Sequence, residues 1–308
     1  MAQIAVIVLA YNRPQLLTEA LLSVARQTRA PAEIIVVDDC SPRPLEIASS
    51  VPAILPLRLV RQPTNQGPAH AARRGLEETD AELVAFLNDD VLWEPEFLER
   101  LEDALDAHPE AAVAFCDHAV IEANGTPDPA YADRMSAQFK RDRLPAGLVE
   151  DLPRVALVDK AMPGASFSMT RRRELDPRII ASGGEVWDYF VCLCACRSGC
   201  PGVYVNQRLG AYRLSPSGIT AKWTDPHWRI ASTARTIAAA RLILKCPALR
   251  SIRREQRHVL WTMSLRGVVI SLRTRSFSGA RRGIAQIAYA IWAPLREGES
   301  RHRPANAL

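Results

Sequence analysis

The chain has 308 residues, of which 48% are hydrophobic and 24% charged. This composition excludes collagen-like, disulfide-scaffold and wholly disordered classes, and the length allows one large domain or two smaller ones. The net charge of +5 hides a division: residues 227–308 hold 16 Arg or Lys against three acids, a balance of +13, whereas residues 1–226 hold 23 against 31, a balance of −8.

Strands and helices alternate through the first half. Ile4–Ala10 (IAVIVLA) is a continuous apolar run, as in a parallel strand buried on both faces. It is short and has no basic residues ahead of it, so it does not read as a secretion signal. Pro14 opens a helix with Leu17, Ala20, Leu21 and Val24 on one stripe. Glu33–Val37 predicts a second buried strand, ending in Asp38-Asp39, and Leu57–Arg61 a short third one. Gly67–Thr79 predicts a helix, and Leu83–Leu87 (LVAFL) a strand ending in Asn88-Asp89-Asp90. Pro95–Ala107 reads as a helix and Ala111–Cys116 as a strand. This order implies a mostly parallel sheet with right-handed crossovers. Residues 120–160 lack clean periodicity and read as a long loop with short helices. Val186–Ser198 predicts a helix, Val203–Asn206 and Gly210–Leu214 two short strands. From Pro226 the pattern is helical to about Leu295, with breaks near Pro247 and Ser276–Gly279. No apolar window is long enough for a spanning helix.

In open α/β sheets, ligands bind beyond the carboxyl ends of the strands. Acids stand at two such ends: Asp38-Asp39 and Asn88-Asp89-Asp90. Carboxylates there are hard oxygen ligands suited to Mg2+ or Mn2+ bridging to phosphate. Strand-to-helix turns also favour Asp and Asn as caps, which leaves a structural reading beside the functional one. Two acid pairs, each after a fully apolar strand, favour function.

These residues resemble a known family. The matching stretches are V-L-A-Y-N-R-P (8–14), S-V-A-R-Q-T (23–28), E-I-I-V-V-D-D-C-S (33–41), N-Q-G-P-A-H-A-A-R-R-G (65–75) and F-L-N-D-D-V (86–91) with Pro95. They are similar to the family-two inverting glycosyltransferases of GT-A fold, over about residues 1–215. The resemblance implies a catalytic domain over 1–220, with 1–118 binding a nucleotide-sugar and 119–220 carrying the acceptor side and the base. Residues 221–308 then form a helical basic extension. It further implies a UDP- or dTDP-sugar donor, a Mg2+ or Mn2+ cofactor, and hexosyl or deoxyhexosyl transfer to an acceptor hydroxyl. Leu9, Ala10, Tyr11, Arg13, Asp38, Asp39, Asn65, Gly67, Arg73, Asn88 and Asp89 fall on the donor-binding positions. Tyr11 and Asp39 are placed at the base, Asp38 at the ribose or structurally beside it, and Arg73 or Arg74 at the diphosphate. Asp90 is the implied metal ligand, with Asp89 secondary.

The implied general base is an acid opening a helix, nine residues before an Arg-x-Gly run. Asp188 stands nine residues before Arg197-Ser198-Gly199, with Trp187 in place of the usual Glu. Glu185 is the alternative, and a first-turn acid favoured by the helix dipole is the structural reading. Tyr212-Arg213-Leu214-Ser215 resembles the family's Tyr-Arg-x-His strand with Ser215 in the His position, where Arg213 could compensate.

Other features carry less chemistry. Cys192, Cys194, Cys196 and Cys200 lack the second ligand segment of a zinc site and read as buried thiols. Seven cysteines without an export signal point to reduced thiols and a cytoplasmic protein. In the tail, 257–273 and 281–296 are apolar stretches flanked by arginines, which suits either an anionic membrane surface on the inner face or a helical bundle packed on the catalytic domain. A lipid-linked acceptor would fit the first. No nucleic-acid motif is present. The rival functions are a degenerate, membrane-associated nucleotide-binding protein and, less well supported for lack of a glycine-rich first loop, a sugar nucleotidyltransferase.

Overall fold

The computed structural model describes residues 2–215 and 225–273. The chain divides into two compact units, the second starting at Lys222.

The elements of the first unit run β1 (Ile4–Ala10), α1 (Pro14–Ala25), β2 (Glu33–Asp38), β3 (Leu57–Arg61), α2 (Pro68–Glu77), β4 (Leu83–Asn88), β5 (Val91–Trp93), α3 (Phe97–Ala107), β6 (Val113–Ile121), α4 (Pro129–Gln138), β7 (Gly147–Val149), β8 (Ser168–Arg171), α5 (Pro177–Ala181), α6 (Trp187–Cys196) and β9 (Gly202–Arg213). One nine-stranded sheet has the order β3-β2-β1-β4-β8-β6-β9-β5, with β7 paired to β9. β1 is parallel to β2 on one side and to β4 on the other, in register from Ala5↔Glu33 and Ile4↔Leu83. The chain therefore builds outward from β1 to β3 and then restarts across β1 at β4. That reversal opens a crevice above the carboxyl ends of β1 and β4, the usual ligand position in such sheets.

All seven residues of β1 are buried, because helices cover both faces. Ile4, Val6 and Val8 face Leu17 and Leu21 of α1 and Phe97 and Leu101 of α3. Ile7 and Leu9 face Ala72 and Leu76 of α2 and Trp187 and Val191 of α6. At Gly75 a Cβ would lie 2.3 Å from the Ile7 side chain, so α2 can seat on the sheet only with glycine there.

Beyond β4 the sheet is mixed. β8 inserts antiparallel between β4 and β6, while β5 and β7 run antiparallel to β9. The two short strands read after residue 202 are one 12-residue strand. Asn206, Gln207 and Arg208 are exposed and look like a break, yet the ladder to β6 continues past them through register shifts around Asp117. The 120–160 region contains a capped helix: the Asp128 carboxylate accepts from Tyr131 N at 2.8 Å, with Pro129 opening α4. Behind it, the fully buried Arg141 donates to Asp117 at 2.6 Å.

The second unit contains α7 (Pro226–Lys245), a 3-10 turn over Pro247–Ile252 and α8 (Arg253–Arg273). The two helices join through Ile237, Ala240, Leu244 and Leu260. The expected helix over 281–296 lies outside the described residues. Among the described residues, no helix is long and apolar enough to cross a membrane.

Candidate active site

The loops after β1, β2 and β4 are tied to one another at the crevice. The last β1 carbonyls do part of this: Ala10 O accepts Asp39 N at 3.0 Å and Leu9 O accepts Asp89 N at 3.1 Å. Leu9 and Ala10 thus align the acid-bearing loops, and their side chains belong to the core. Asn12 (φ 53) and Cys40 (φ 59) put both turns in the left-handed region. Ser41 joins them: its hydroxyl donates to Asp38 at 2.6 Å and accepts Asn12 N at 2.8 Å.

The two carboxylates after β2 are committed to their own chain. Asp38 is fully buried and also binds Ser41 N at 2.9 Å and the Arg61 guanidinium. Burial alone would raise its pKa; the Ser41 hydroxyl and amide, with Arg61, overcome this and hold it below the usual range. These contacts make Asp38 a brace of the loop. Asp39 Oδ1 accepts Gln62 Nε2 at 2.6 Å and Gln66 N at 2.9 Å, and its Oδ2 accepts Gly67 N at 2.7 Å. It fixes the start of α2 and leaves Asn65 exposed on the loop above. A carboxylate offers about four acceptor positions, so about one remains open.

After β4, Arg13 reaches across to both acids. Its Nε donates to Asp89 Oδ2 at 3.1 Å, its second terminal nitrogen to Asp89 Oδ1, and its first to Asp90 Oδ2 at 3.0 Å. Asp89 is 2% and Asp90 8% exposed. Burial pushes the Asp89 carboxyl up, to about 7; Arg13 pulls it down and the Asp90 charge adds to the rise. The two-pronged Arg13 contact, which raises Arg13 against its own burial, is the geometry of an ionised Asp89. Tyr11 is exposed beside the fork, its N–H 3.4 Å from Asp89 Oδ2. Among the described residues, Asp90 Oδ1 accepts no hydrogen bond, whereas the other three oxygens of the pair all do. One free hard oxygen fits a divalent cation that takes its remaining ligands from water and phosphate. Among the described residues, no group of three or more His, Cys, Asp or Glu could hold an ion unaided, and Cys192, Cys194 and Cys196 are buried and in no disulfide.

The opposite wall carries Asp188, the second residue of α6. It lines a cavity of about 90 Å3 together with Asn88, Val91, Pro163, Ser166 and Tyr212. The carboxyl lies deep among protein atoms, yet the cavity keeps the residue open to solvent. That low-dielectric surrounding raises its pKa, against the Tyr189 N–H at 2.9 Å and the Lys160 charge. Gly164 permits the approach: its φ is 104, and a Cβ there would sit 3.0 Å from Asp188 Oδ2. Asn88, the last residue of β4, and Asp188 share one cavity although 100 residues apart. Glu185 is not among the residues lining it; its Oε2 is buried without a partner in the turn before α6.

Three arginines turn their side chains to other partners. Arg73 pairs with Glu77 at 2.7 Å on the α2 surface, and Arg74 with Glu78 at 2.6 Å. Arg73 is five residues into α2, roughly 7.5 Å from its start, and is a helix-surface ion pair. Arg213 turns to Glu19 and Ala123 O, while its N–H holds Asp90 O at 3.1 Å. Its backbone supports the Asp90 turn, while its guanidinium is held by Glu19 and Ala123 O. Sequence reasoning missed Arg61, Gln62 and Gly164, and it placed Ser41 in the strand-end loop without its tie to Asp38. A polar residue two places past an acid at a strand end was the one available signal for Ser41.

A β1–β4 switch point lined with acids, facing a mixed half-sheet with an acid-opened helix, is the GT-A glycosyltransferase architecture. The model of glycosyl transferase family 2 matches residues 5–159, just over half of the chain, and the chain belongs to that family. An uncharacterized glycosyltransferase of Haemophilus influenzae is 31% identical over 106 residues, 34% of this chain and 35% of that one. The succinoglycan biosynthesis protein ExoW of Rhizobium meliloti is 36% identical over 106 residues, 32% of each chain. The matched stretch is about a third of the length of these curated relatives. A crystal structure of S. aureus TarS 1–349 with UDP-GlcNAc has a TM-score of 0.63 at 17% identity, covering 96% of this chain and 92% of that one. That likeness is one of fold.

Proposed function

We propose that the protein is an inverting glycosyltransferase, moving a hexosyl or deoxyhexosyl group from a UDP- or dTDP-sugar to an acceptor hydroxyl in a cell-surface polysaccharide or glycolipid. The carrying observation is that Asp188 lines the same cavity as Asn88, at the end of the strand that bears the acid pair. The UDP-GlcNAc bound by TarS and the succinoglycan role in the name of ExoW support the donor and product classes.

In this mechanism Asp188 accepts the proton of the acceptor hydroxyl as its oxygen attacks the anomeric carbon. The bond from that carbon to the diphosphate breaks with inversion. Asp90 would hold Mg2+ or Mn2+, whose charge offsets that of the leaving diphosphate. Tyr11 and the 62–67 loop pinned by Asp39 frame the base. The second unit is proposed to meet anionic lipid and recruit a lipid-linked acceptor. Its α8 exposes Trp261, Leu265 and Val269 at four-residue intervals, with Arg254 and Arg266 also exposed.

The test is a thermal-shift screen of UDP- and dTDP-sugars with and without Mn2+, followed by assay of released sugar. A metal-dependent shift with slow sugar release is expected. Binding without any release would mark a nucleotide-binding protein that does not transfer. No shift with any nucleotide-sugar would remove the donor reading.

A further inference from the structure

We propose that Arg13 is a built-in counter-ion that competes with the divalent cation at Asp90, so that cation and nucleotide diphosphate bind together and the cation binds weakly alone. The proposal rests on the donor reading above, and concerns what the acid pair does before the donor arrives.

A guanidinium carries five N–H donors. Arg13 spends three on the acid pair, one from each nitrogen. Both Asp89 oxygens are taken, so Asp89 is excluded from the cation's shell while the fork persists. Asp90 gives Oδ2 to Arg13 and keeps Oδ1 free. Two acids and one guanidinium leave the trio at a net −1, with the positive end of Arg13 3.0 Å from Asp90, the carboxylate of the pair that keeps an oxygen open among the described residues. A dication approaching Oδ1 meets that charge in a nearly buried setting, where screening is weak.

A diphosphate changes the balance. Each terminal nitrogen of Arg13 retains one N–H without an acceptor among the described residues, and the side chain is 27% exposed. Phosphate oxygens can take these N–H groups and the cation at once, and their negative charge relieves the repulsion between the two cations. Coupling of this kind is reciprocal: nucleotide tightens cation binding by the factor with which cation tightens nucleotide binding. Arg13 and Asp89 thereby act as positioning groups for Asp90, and the enzyme avoids holding a bare metal.

Calorimetric titration of Mn2+ into the full chain, with and without UDP, reads this directly. In the natural chain, UDP is expected to tighten Mn2+ binding at least about tenfold. In Arg13→Met, Mn2+ alone binds about tenfold tighter or more, and the coupling to UDP shrinks. Arg13→Lys keeps the charge and stays near the natural chain for Mn2+ alone. Equal Mn2+ affinity with and without UDP in the natural chain overturns the proposal, and so does unchanged or weaker Mn2+ binding in an Arg13→Met protein with native circular dichroism. Should Arg13→Met not fold, the natural-chain coupling decides alone. Failure of UDP and dTDP to bind at all is a different result and removes the donor reading instead.

Discussion

The two walls of the crevice hold their carboxylates in opposite ways. On the donor side, Asp38, Asp39 and Asp89 each accept from three donors, and Asp90 is held through Arg13 and the Arg213 N–H. On the other side, Asp188 receives one neighbouring backbone N–H and otherwise faces the cavity. An acid surrounded by donors is fixed in place; for Asp38 the donors also outweigh burial and hold its pKa low. An acid in a cavity of low dielectric with little compensation is pushed toward the protonated form, as Asp188 is. On the proposed mechanism, the difference separates groups that hold the donor from the group that takes the acceptor's proton.

The sharpest way to break this comparison is Asp188→Asn. Loss of a general base is expected to lower the transfer rate roughly a hundredfold to ten-thousandfold, with donor affinity by calorimetry unchanged. Because the folded pKa of Asp188 is raised, the ionised carboxyl opposes folding at neutral pH, so the Asn variant should melt no lower than the natural protein. Lost donor binding would show Asp188 to be a structural acid.

The same shift sets the pH profile. Asp188 acts only when ionised, so kcat falls as pH drops through its raised pKa. The acid limb is expected above the ordinary aspartate range, and a limb near 4 would contradict the burial argument.

Asp39→Ala tests the opposite wall. It strands Gln62, Gln66 N and Gly67 N, and should cost roughly 3 kcal/mol in denaturant unfolding together with weakened donor binding. A rate defect at unchanged stability would blur the distinction between the walls. The smallest expected effect is a few-fold loss of sedimentation with anionic vesicles in Trp261→Ala/Leu265→Ala, read against neutral vesicles. Equal sedimentation would leave the exposed face of α8 without a lipid role.

The fold was legible where burial leaves no choice of residue. The runs IAVIVLA, EIIVV and LVAFL mark strands covered on both faces, and the acids after them mark the crevice. The spacing from Asp188 to Arg197 likewise selected the acid that lines the cavity. The far half was less legible. β8 is only four residues long, and the exposed run Asn206–Arg208 interrupts the apolar pattern of β9 without interrupting its ladder. Arg73 pairs with Glu77 one turn on, and an arginine beside a strand-end loop reads alike in sequence whether it meets such a partner or a phosphate.

The sequence by itself determined which segments are buried strands and which residue types stand at their ends, because a doubly covered strand must be apolar throughout and its terminus is the first place a charge can be tolerated. Only the tertiary structure decided which of those charges remain available. Arg13 meets Asp89 and Asp90 across 76 and 77 residues, Arg213 meets Glu19 across 194, and Gly164 makes room for Asp188. Such contacts depend on how loops converge over a folded sheet, and a hydrogen bond has no signature in sequence when its partners come from separate crossovers.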